Sequence, residues 1–226
     1  MSPATARARS RLLLGTGALL VAAGLAIGGY VLWQLFGTNI VAKREHRELR
    51  AEVEQVWREP GATGWRRATG GEVVGLLRVP RFGSSYEMPI LVGFADETLA
   101  RGVGWYDDGA EPGEEGNVVL AAHRVTHGEP FAELPSLRAG DLVEVETRTA
   151  VRTYRLVDDG DAIEVSFETA WPLWPVPDPE GAADREPREQ MITLVTCSEL
   201  FHTDDRLIVR GVLTDVEPKR DAPRGR

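Results

Sequence analysis

The side chains best suited to covalent chemistry in this chain are one thiol, a few imidazoles and two guanidinium groups. Cys197 is the only cysteine among the 226 residues, and it ends the β-branched run ITLVTC. A free thiol is only a few per cent thiolate at neutral pH, so it needs a base or a cation nearby to act as a nucleophile. Taken alone, the residue is equally compatible with a small buried hydrophobic side chain.

Four histidines are available as that base. His123 follows the apolar run NVVLAA, which predicts a strand that delivers the imidazole to the edge of a barrel. His127 comes four residues later, and we interpret it as a turn residue. The pair resembles a helical zinc motif, but Arg124 stands where that motif has its glutamate, so zinc is disfavoured. His46 is interpreted as a solvated helix residue, and His202 lies in a predicted turn beyond the thiol.

A guanidinium group would complete an acyl-transfer site, because the negative charge that develops on the carbonyl oxygen needs a donor. Arg206 opens the run RLIVRGVL nine residues beyond Cys197, and two successive strands joined by a turn would place both side chains together. Arg210 lies on the same face of that predicted strand but about 13 Å further along. Either arginine is also compatible with an ordinary solvated charge on a strand.

The elements that must position these residues are mostly short β-rich runs separated by Gly, Pro and Asp. Eight such runs with few long helical patterns predict a mainly β fold, a closed barrel or a sandwich, and eight strands suffice for a small filled barrel. The runs are VVGLLRV, MPILVG, GNVVLAAH, DLVEVETRT, VRTYRLVD, AIEVSF, MITLVTC and RLIVRGVL. Residues 171–189 contain five prolines and predict a long loop just before the Cys197 strand.

The N-terminal region predicts attachment to a membrane. Residues 12–36 form an uncharged apolar stretch, and a spanning helix needs about 20 such residues. Arg7, Arg9 and Arg11 precede it, which places that end in the cytoplasm by the positive-inside rule. A cleaved signal peptide is the alternative, but its apolar core would be only about 7 to 15 residues long. We therefore predict a single-pass anchor in the cell membrane and an extracellular domain.

Changes in composition predict the domain boundaries. Residues 1–11 are predicted to be a cytoplasmic tail, residues 37–71 a juxtamembrane helix over 45–59 with a linker, residues 72–217 the β-barrel domain, and residues 218–226 a disordered tail. We interpret the helix as lifting the domain off the bilayer; the alternative is an amphipathic helix packed on that domain. The net charge of −9 argues against a nucleic-acid partner, which would need a basic face.

Three motifs together resemble the sortases, the membrane-anchored cysteine transpeptidases of Gram-positive bacteria. TLVTC resembles the TLxTC signature of that family, PGEEGNVVLAAHRVTHGEPFAEL resembles the segment around its catalytic histidine, and RLIVRGVL matches the strand that carries its arginine. HRVTHGEPF and YVLWQLFGT are most similar to class E sortases. The resemblance covers residues 72–217, with Ala122 in place of the usual glycine and CSEL as an uncommon continuation after the thiol.

The resemblance implies an eight-stranded sortase-type β-barrel and a defined reaction. Cys197 would attack a sorting signal of LPxTG or LAxTG type between Thr and Gly and form a thioester. His123 would be the acid and base, and Arg206 would hold the oxyanion. Thr196 and Trp174 are candidate substrate-binding residues, because the first precedes the thiol and the second lies where the family's sequence-reading loop is found.

The resemblance also implies the partners. They are secreted proteins that carry a sorting signal, a peptidoglycan precursor amine as acceptor, and the lipid bilayer. No cofactor or metal is implied; an effect of calcium through acidic residues such as Glu111, Glu114 and Glu115 stays open but is not indicated.

Two other functions stay open. One is a thiol hydrolase of the same fold that uses no amine acceptor, and the other is a non-catalytic, membrane-tethered barrel that binds the cell wall. An L,D-transpeptidase would need a SHGC-like stretch, which the sequence lacks.

Overall fold

The computed structural model describes residues 3–33, 37–58, 65, 68–197 and 204–219. The chain divides into two compact units, residues 1–38 and residues 39–226.

The first unit contains helix α1, Pro3–Leu32. Within the described ranges, its segment Gly15–Leu32 is the one helix that is long and apolar enough to cross a membrane, and none of that segment is buried by protein. An exposed apolar surface of this extent is suited to contact with lipid. The last residues of the predicted span, 34–36, lie outside the described residues.

Helix α2, Thr38–Arg58, begins seven residues earlier than the sequence predicts, and all but its first residue belongs to the second unit. Its buried residues recur every three or four positions and form one stripe along the helix. They are Asn39, Ala42, His46, Leu49 and Val53.

This buried stripe packs on the barrel. Leu49 and Val53 form one cluster with barrel side chains, with Trp57 at its edge, and the barrel members are Val73, Leu76 and Leu91. The structure therefore shows the packed amphipathic helix, and the interpretation of α2 as a stalk that lifts the domain off the bilayer is wrong. His46 is only 3% exposed. Its interpretation as a solvated residue is also wrong, because it lies in the same stripe.

Nine strands form one sheet within the described residues, and a short helix, α3 (Asp96–Leu99), lies between the second and third strands. The strands are β1 Val73–Arg78, β2 Met88–Val92, β3 Val103–Trp105, β4 Gly116–Ala121, β5 Leu142–Glu146, β6 Ala150–Leu156, β7 Glu164–Ser166, β8 Gln190–Cys197 and β9 Asp205–Pro218.

Eight of these strands close a barrel. The order is β6-β5-β1-β2-β3-β4-β8-β9, and β9 pairs back with β6. The β2–β3 and β4–β8 pairs are parallel and the other pairs are antiparallel. The predicted eight-stranded barrel is confirmed, and its closure leaves no open edge along the ring.

The membership of the ring differs from the predicted runs at one strand. The run AIEVSF forms β7, a three-residue strand that pairs only with the first residues of β9 and lies outside the ring. The eighth member of the ring is β3, whose three residues are all buried. A three-residue strand has no periodicity to detect, so only its neighbours β2 and β4 identify it.

Strand β9 is long because it pairs with other strands on both of its edges where the barrel closes. Residues 206–212 pair with β8, while on the other side residues 205–207 pair with β7 and residues 211–218 pair with β6. The strand includes Pro218, and the Lys219 amide donates to the carbonyl of Thr149 at 2.9 Å. The rest of the predicted disordered tail, residues 220–226, lies outside the described residues.

We expect Leu49→Ala to lower the free energy of unfolding by about 2 to 4 kcal/mol, because it leaves a cavity between α2 and the barrel. Denaturant unfolding of the full chain in detergent measures the change. Glu52→Ala, at an exposed position of the same helix, is the matched control and should change stability by less than about 0.5 kcal/mol. Equal stability of the two variants would contradict the packing of α2 on the barrel.

Candidate active site

The thiol lies at the end of strand β8, on the outside of the barrel. Side chains alternate along the strand, so Ile192 and Leu194 enter the hydrophobic core, and Cys197 has the opposite orientation. Cys197 is partly exposed. The residues that follow it, 198–203, lie outside the described residues, and so does His202.

Strand β4 brings His123 to the same rim. It runs parallel to β8 with Ala121 beside Val195, and the ladder continues through a bond from the Ala122 amide to the Val195 carbonyl at 3.2 Å. His123 is two residues beyond Ala121, as Cys197 is two residues beyond Val195. Since neighbouring strands are about 4.8 Å apart, this register puts the His123 and Cys197 backbone positions side by side at the rim.

Strand β9 brings Arg206 to the thiol from the other side. Cys197 is directly opposite Arg206 in the antiparallel register of β8 and β9. Opposed residues point to the same face, with Cβ atoms about 5 Å apart. The Arg206 Nη1 donates to the Asp205 carbonyl at 3.0 Å. The structure thus puts the three residues that the sequence singles out at the same rim of the barrel.

Arg210, the rival arginine, has a different environment. It lies opposite Thr193, four residues along β9 from Arg206. Its Nε and Nη2 donate to the two carboxylate oxygens of Asp158 at 2.8 and 2.9 Å, and its Nη1 donates to the Pro177 carbonyl at 2.9 Å. The bidentate ion pair and the bond to a backbone carbonyl hold this guanidinium in place. The bond to Pro177 fastens the proline-rich loop, residues 171–189.

Thr196 faces the interior. It is 2% exposed, and its hydroxyl donates to the Ala122 carbonyl at 2.8 Å. A peptide on the outer face beside Cys197 would not meet this hydroxyl. Thr196 instead ties the end of β8 to the residue before His123.

Trp174 lies near the other end of the β8 strand. The Asn117 side-chain amide donates to the carbonyls of Trp174 and Pro172, at 3.0 and 2.8 Å. Asn117 is beside Met191, six residues and about 20 Å before Cys197 along β8. The structure therefore does not bring Trp174 to the thiol, and this part of the loop covers the beginning of β8 instead.

Two charged residues near the rim were not identified as site residues from the sequence. The Arg124 Nη1 donates to the Cys197 carbonyl at 3.5 Å. Asp96, at the start of α3, acts electrostatically on His123. Arg124 could have been identified as a site residue from the sequence, because it directly follows the candidate base His123. Asp96 is 27 residues before His123, and only folding brings the two near each other.

Burial controls the charge state of His123. It lowers the pKa of His123 to about 4, helped by the neighbouring His127 and opposed by Asp96. The imidazole is therefore neutral at pH 7, which leaves it able to accept a proton from a thiol.

His127 lies in a turn, as its interpretation from the sequence requires, but its ring also contacts His123. The two ring centroids are 4.8 Å apart, with 31° between the ring planes. Its Nδ1 lies 3.0 Å from the hydroxyl of Thr126, and burial lowers the pKa of His127. Across the described ranges, no group of three or more His, Cys, Asp or Glu side chains is arranged to hold a metal ion.

Comparison with known proteins gives the family of the chain. Residues 77–214 match the family model of the sortase domain. These residues include the end of β1, strands β2 to β8, most of β9, and the Cys197, His123 and Arg206 positions. The chain belongs to the sortase family.

Named relatives agree with the predicted similarity to class E. Sortase SrtE1 of Streptomyces coelicolor is 29% identical over 214 residues, which cover 90% of this chain and 57% of that protein, so the chain spans little more than half of that relative. The structure of sortase E from Streptomyces avermitilis is 33% identical, with a TM-score of 0.59 over 66% of this chain and 93% of that one. The structure of sortase E1 from Streptomyces coelicolor with a tripeptide in the active site is 31% identical, with a TM-score of 0.56 over 67% and 96%.

A buried imidazole, that of His46, lies close to the turn formed by His127, Gly128 and Glu129, which we call the histidine turn. The His46 ring packs against Gly128, where an added Cβ would be only 2.7 Å from its Cε1. Neither ring nitrogen of His46 has a hydrogen-bond partner among the described residues. Burial lowers the pKa of His46 to about 4, with Arg50 and Lys43 acting in the same direction and Glu45 against them.

We expect His46 to make the folded domain sensitive to acid. The unfolded imidazole binds a proton near pH 6.5 and the folded one only near pH 4, so stability is lost as the pH falls through this window. At pH 5 the loss is about 2 kcal/mol. In His46→Leu, the difference in unfolding free energy between pH 7.5 and pH 5 should shrink by about that amount. An unchanged difference in denaturant unfolding would refute this assignment.

Proposed function

We propose that this protein is a membrane-anchored sortase that cleaves an LPxTG- or LAxTG-type sorting signal between Thr and Gly and joins the new carboxyl end to a peptidoglycan amine. The observation that carries the proposal is the register of Cys197 directly opposite Arg206, with His123 two residues beyond the end of the adjoining strand β4, at one partly exposed rim of the barrel. A thiol, a neutral base and a fixed cation are the minimum set for acyl transfer.

The first half of the reaction forms a thioester. Neutral His123 takes the thiol proton, and the Cys197 sulfur attacks the carbonyl carbon of the substrate threonine. Arg206 donates to the oxygen on which negative charge develops. When the tetrahedral intermediate collapses, the Thr–Gly bond breaks, and the imidazolium gives its proton to the leaving glycine amine.

The second half transfers the acyl group. An incoming amine attacks the thioester carbon and loses a proton to His123, and collapse expels the thiolate, which recovers that proton. Named side chains and the two substrates supply every proton and electron pair. We therefore propose that no cofactor takes part.

Arg206 rather than Arg210 is proposed as the donor to the oxyanion. The Arg210 side chain is bound to Asp158 and Pro177 by three hydrogen bonds, whereas Arg206 is directly opposite Cys197 in the register of β8 and β9. Release of Arg210 for catalysis would leave the Asp158 carboxylate, which is 12% exposed, without this partner.

The proposed location is the outer face of the cell membrane. The segment Gly15–Leu32 is a candidate span. Arg7, Arg9 and Arg11 precede it and favour a cytoplasmic N-terminus. This orientation puts residues 72–217 outside the cell, where sorting-signal proteins and peptidoglycan precursors are available. The tripeptide in the active site of the Streptomyces coelicolor enzyme supports a peptide substrate for this chain.

The test incubates the full chain in detergent with LPxTG and LAxTG peptides, with and without a triglycine amine, and measures cleaved and ligated products by mass spectrometry. Cys197→Ala should abolish both products, because no thioester forms. His123→Ala should lower kcat/KM by about 10²- to 10⁴-fold and Arg206→Ala by about 10²- to 10³-fold. Cleavage without ligation would identify a hydrolase. If no peptide is cleaved, the result would contradict the proposal and favour a non-catalytic barrel that binds the cell wall.

The two arginines of β9 should separate catalysis from stability. Arg206→Ala should lose activity with little change in the free energy of unfolding. Arg210→Ala should lose about 2 to 4 kcal/mol of stability, because it strands the Asp158 carboxylate. Arg155→Ala, at an exposed position on β6, is a matched strand control and should keep its kcat/KM within about twofold. A reversed pattern for the two variants would refute the proposed role of Arg206.

A further inference from the structure

The turn that follows His123 has an unusual backbone. Three successive residues have positive φ angles: His127 at 54°, Gly128 at 83° and Glu129 at 56°. For residues with a side chain this conformation costs about 1 to 2 kcal/mol each, so the turn holds strain at two of its three positions. Strained backbone of this kind persists only where the surrounding structure holds it in place.

Asn39 of helix α2 binds this turn with both ends of its side-chain amide. Its Oδ1 accepts a hydrogen bond from the Gly128 amide at 2.7 Å. Its Nδ2 donates to the Glu129 carboxylate at 2.6 Å. The Gly128 and Glu129 partners are 89 and 90 residues away in sequence, so these bonds depend on the docking of α2 on the barrel.

Packing along α2 reinforces the two hydrogen bonds. An added Cβ on Gly128 would lie 2.7 Å from the His46 ring and 3.3 Å from the Ala42 side chain, so the helix and the turn are in direct contact. Further along the contact, the Arg101 Nε donates to the Glu45 carboxylate at 2.7 Å. Asn39 is only 9% exposed, and the turn therefore rests on a buried polar anchor.

We propose that Asn39 is a positioning residue for the active site: it holds the strained turn in the conformation that keeps His127 against His123. The turn is tied to His123 at its far side as well, because the Phe131 amide donates to the His123 carbonyl at 3.0 Å. The helix that follows the apolar anchor is thus part of the machinery that orients the candidate base. The kinetic part of this inference rests on the proposed function.

Two titratable groups act on the charge of His123: His127 in the segment after β4, and Asp96 in α3. The other charged or titratable residues of this rim are Arg124, Cys197 and Arg206. If the turn relaxes, His127 moves away and water enters. Both changes remove causes that lower the pKa of His123, so that pKa should rise.

The test compares three variants of the full chain in detergent. Asn39→Ala removes both hydrogen bonds. Asn39→Asp keeps an acceptor for Gly128 but sets a carboxylate against Glu129. The double variant Asn39→Asp/Glu129→Gln reverses donor and acceptor at that contact and restores both bonds. Gln55→Ala, exposed on the same helix, is the control.

The first readout is the pH profile of kcat/KM for sorting-peptide cleavage. Asn39→Ala and Asn39→Asp should each lose about 10- to 100-fold at neutral pH, and the acidic limb should move to higher pH. The double variant should return to within about threefold of the parent. In the double variant Asn39→Ala/His127→Ala, kcat/KM should be little lower than in His127→Ala alone, because the two residues act through the same contact.

The second readout is the NMR titration of the His123 ring without substrate, assigned with His123→Ala. It remains informative if no peptide is cleaved, so failure of the proposed function and failure of this inference can be told apart. A raised His123 pKa in Asn39→Ala that returns in the double variant supports the proposal. A variant that is only less stable, with the parent's His123 titration and pH profile, overturns it and makes Asn39 a purely stabilising contact.

Discussion

The position of the thiol depends on the register of β8, which is paired with β4 on one side and β9 on the other. Because side chains alternate along a strand, a shift by one residue would turn Cys197 into the barrel and Thr196 outward. Two buried hydrogen bonds oppose such a shift: Thr193 donates to the Asn117 side chain at 2.8 Å, and Thr196 donates to the Ala122 carbonyl at 2.8 Å. The same bonds hold the segment that leads to the candidate base, so one register sets the geometry of nucleophile and base together.

The outer face of β8 is closed at one end and accessible at the other. The proline-rich loop covers the beginning of the strand, where Asn117 and Arg210 bind its carbonyls, while Cys197 at the end remains partly exposed. Two arginines with the same orientation on β9 therefore have different surroundings, because the residue opposite each one differs. Arg210 binds the Asp158 carboxylate and fastens the loop, whereas Arg206 is opposite Cys197 in the strand register.

The active-site rim also depends on helix α2, which lies outside the ring of strands. The apolar residues of its buried stripe pack on the barrel, and its buried Asn39 binds a turn in which three successive residues have positive φ angles. The imidazole of His46 is buried beside this contact, and its burial lowers the pKa of His46. A sortase domain defined by its strands alone would lack this support for the candidate base.

The mainly β fold and the closeness of Cys197 and Arg206 on successive strands could be predicted from the amino-acid pattern, because strand periodicity and a short connection are local properties. Three features became visible only in the folded chain: β3 rather than AIEVSF completes the ring, His46 is buried, and Asn39 binds the histidine turn. Each of them depends on partners far away in the chain. A hydrogen bond between residues 89 positions apart leaves no periodic pattern in either segment.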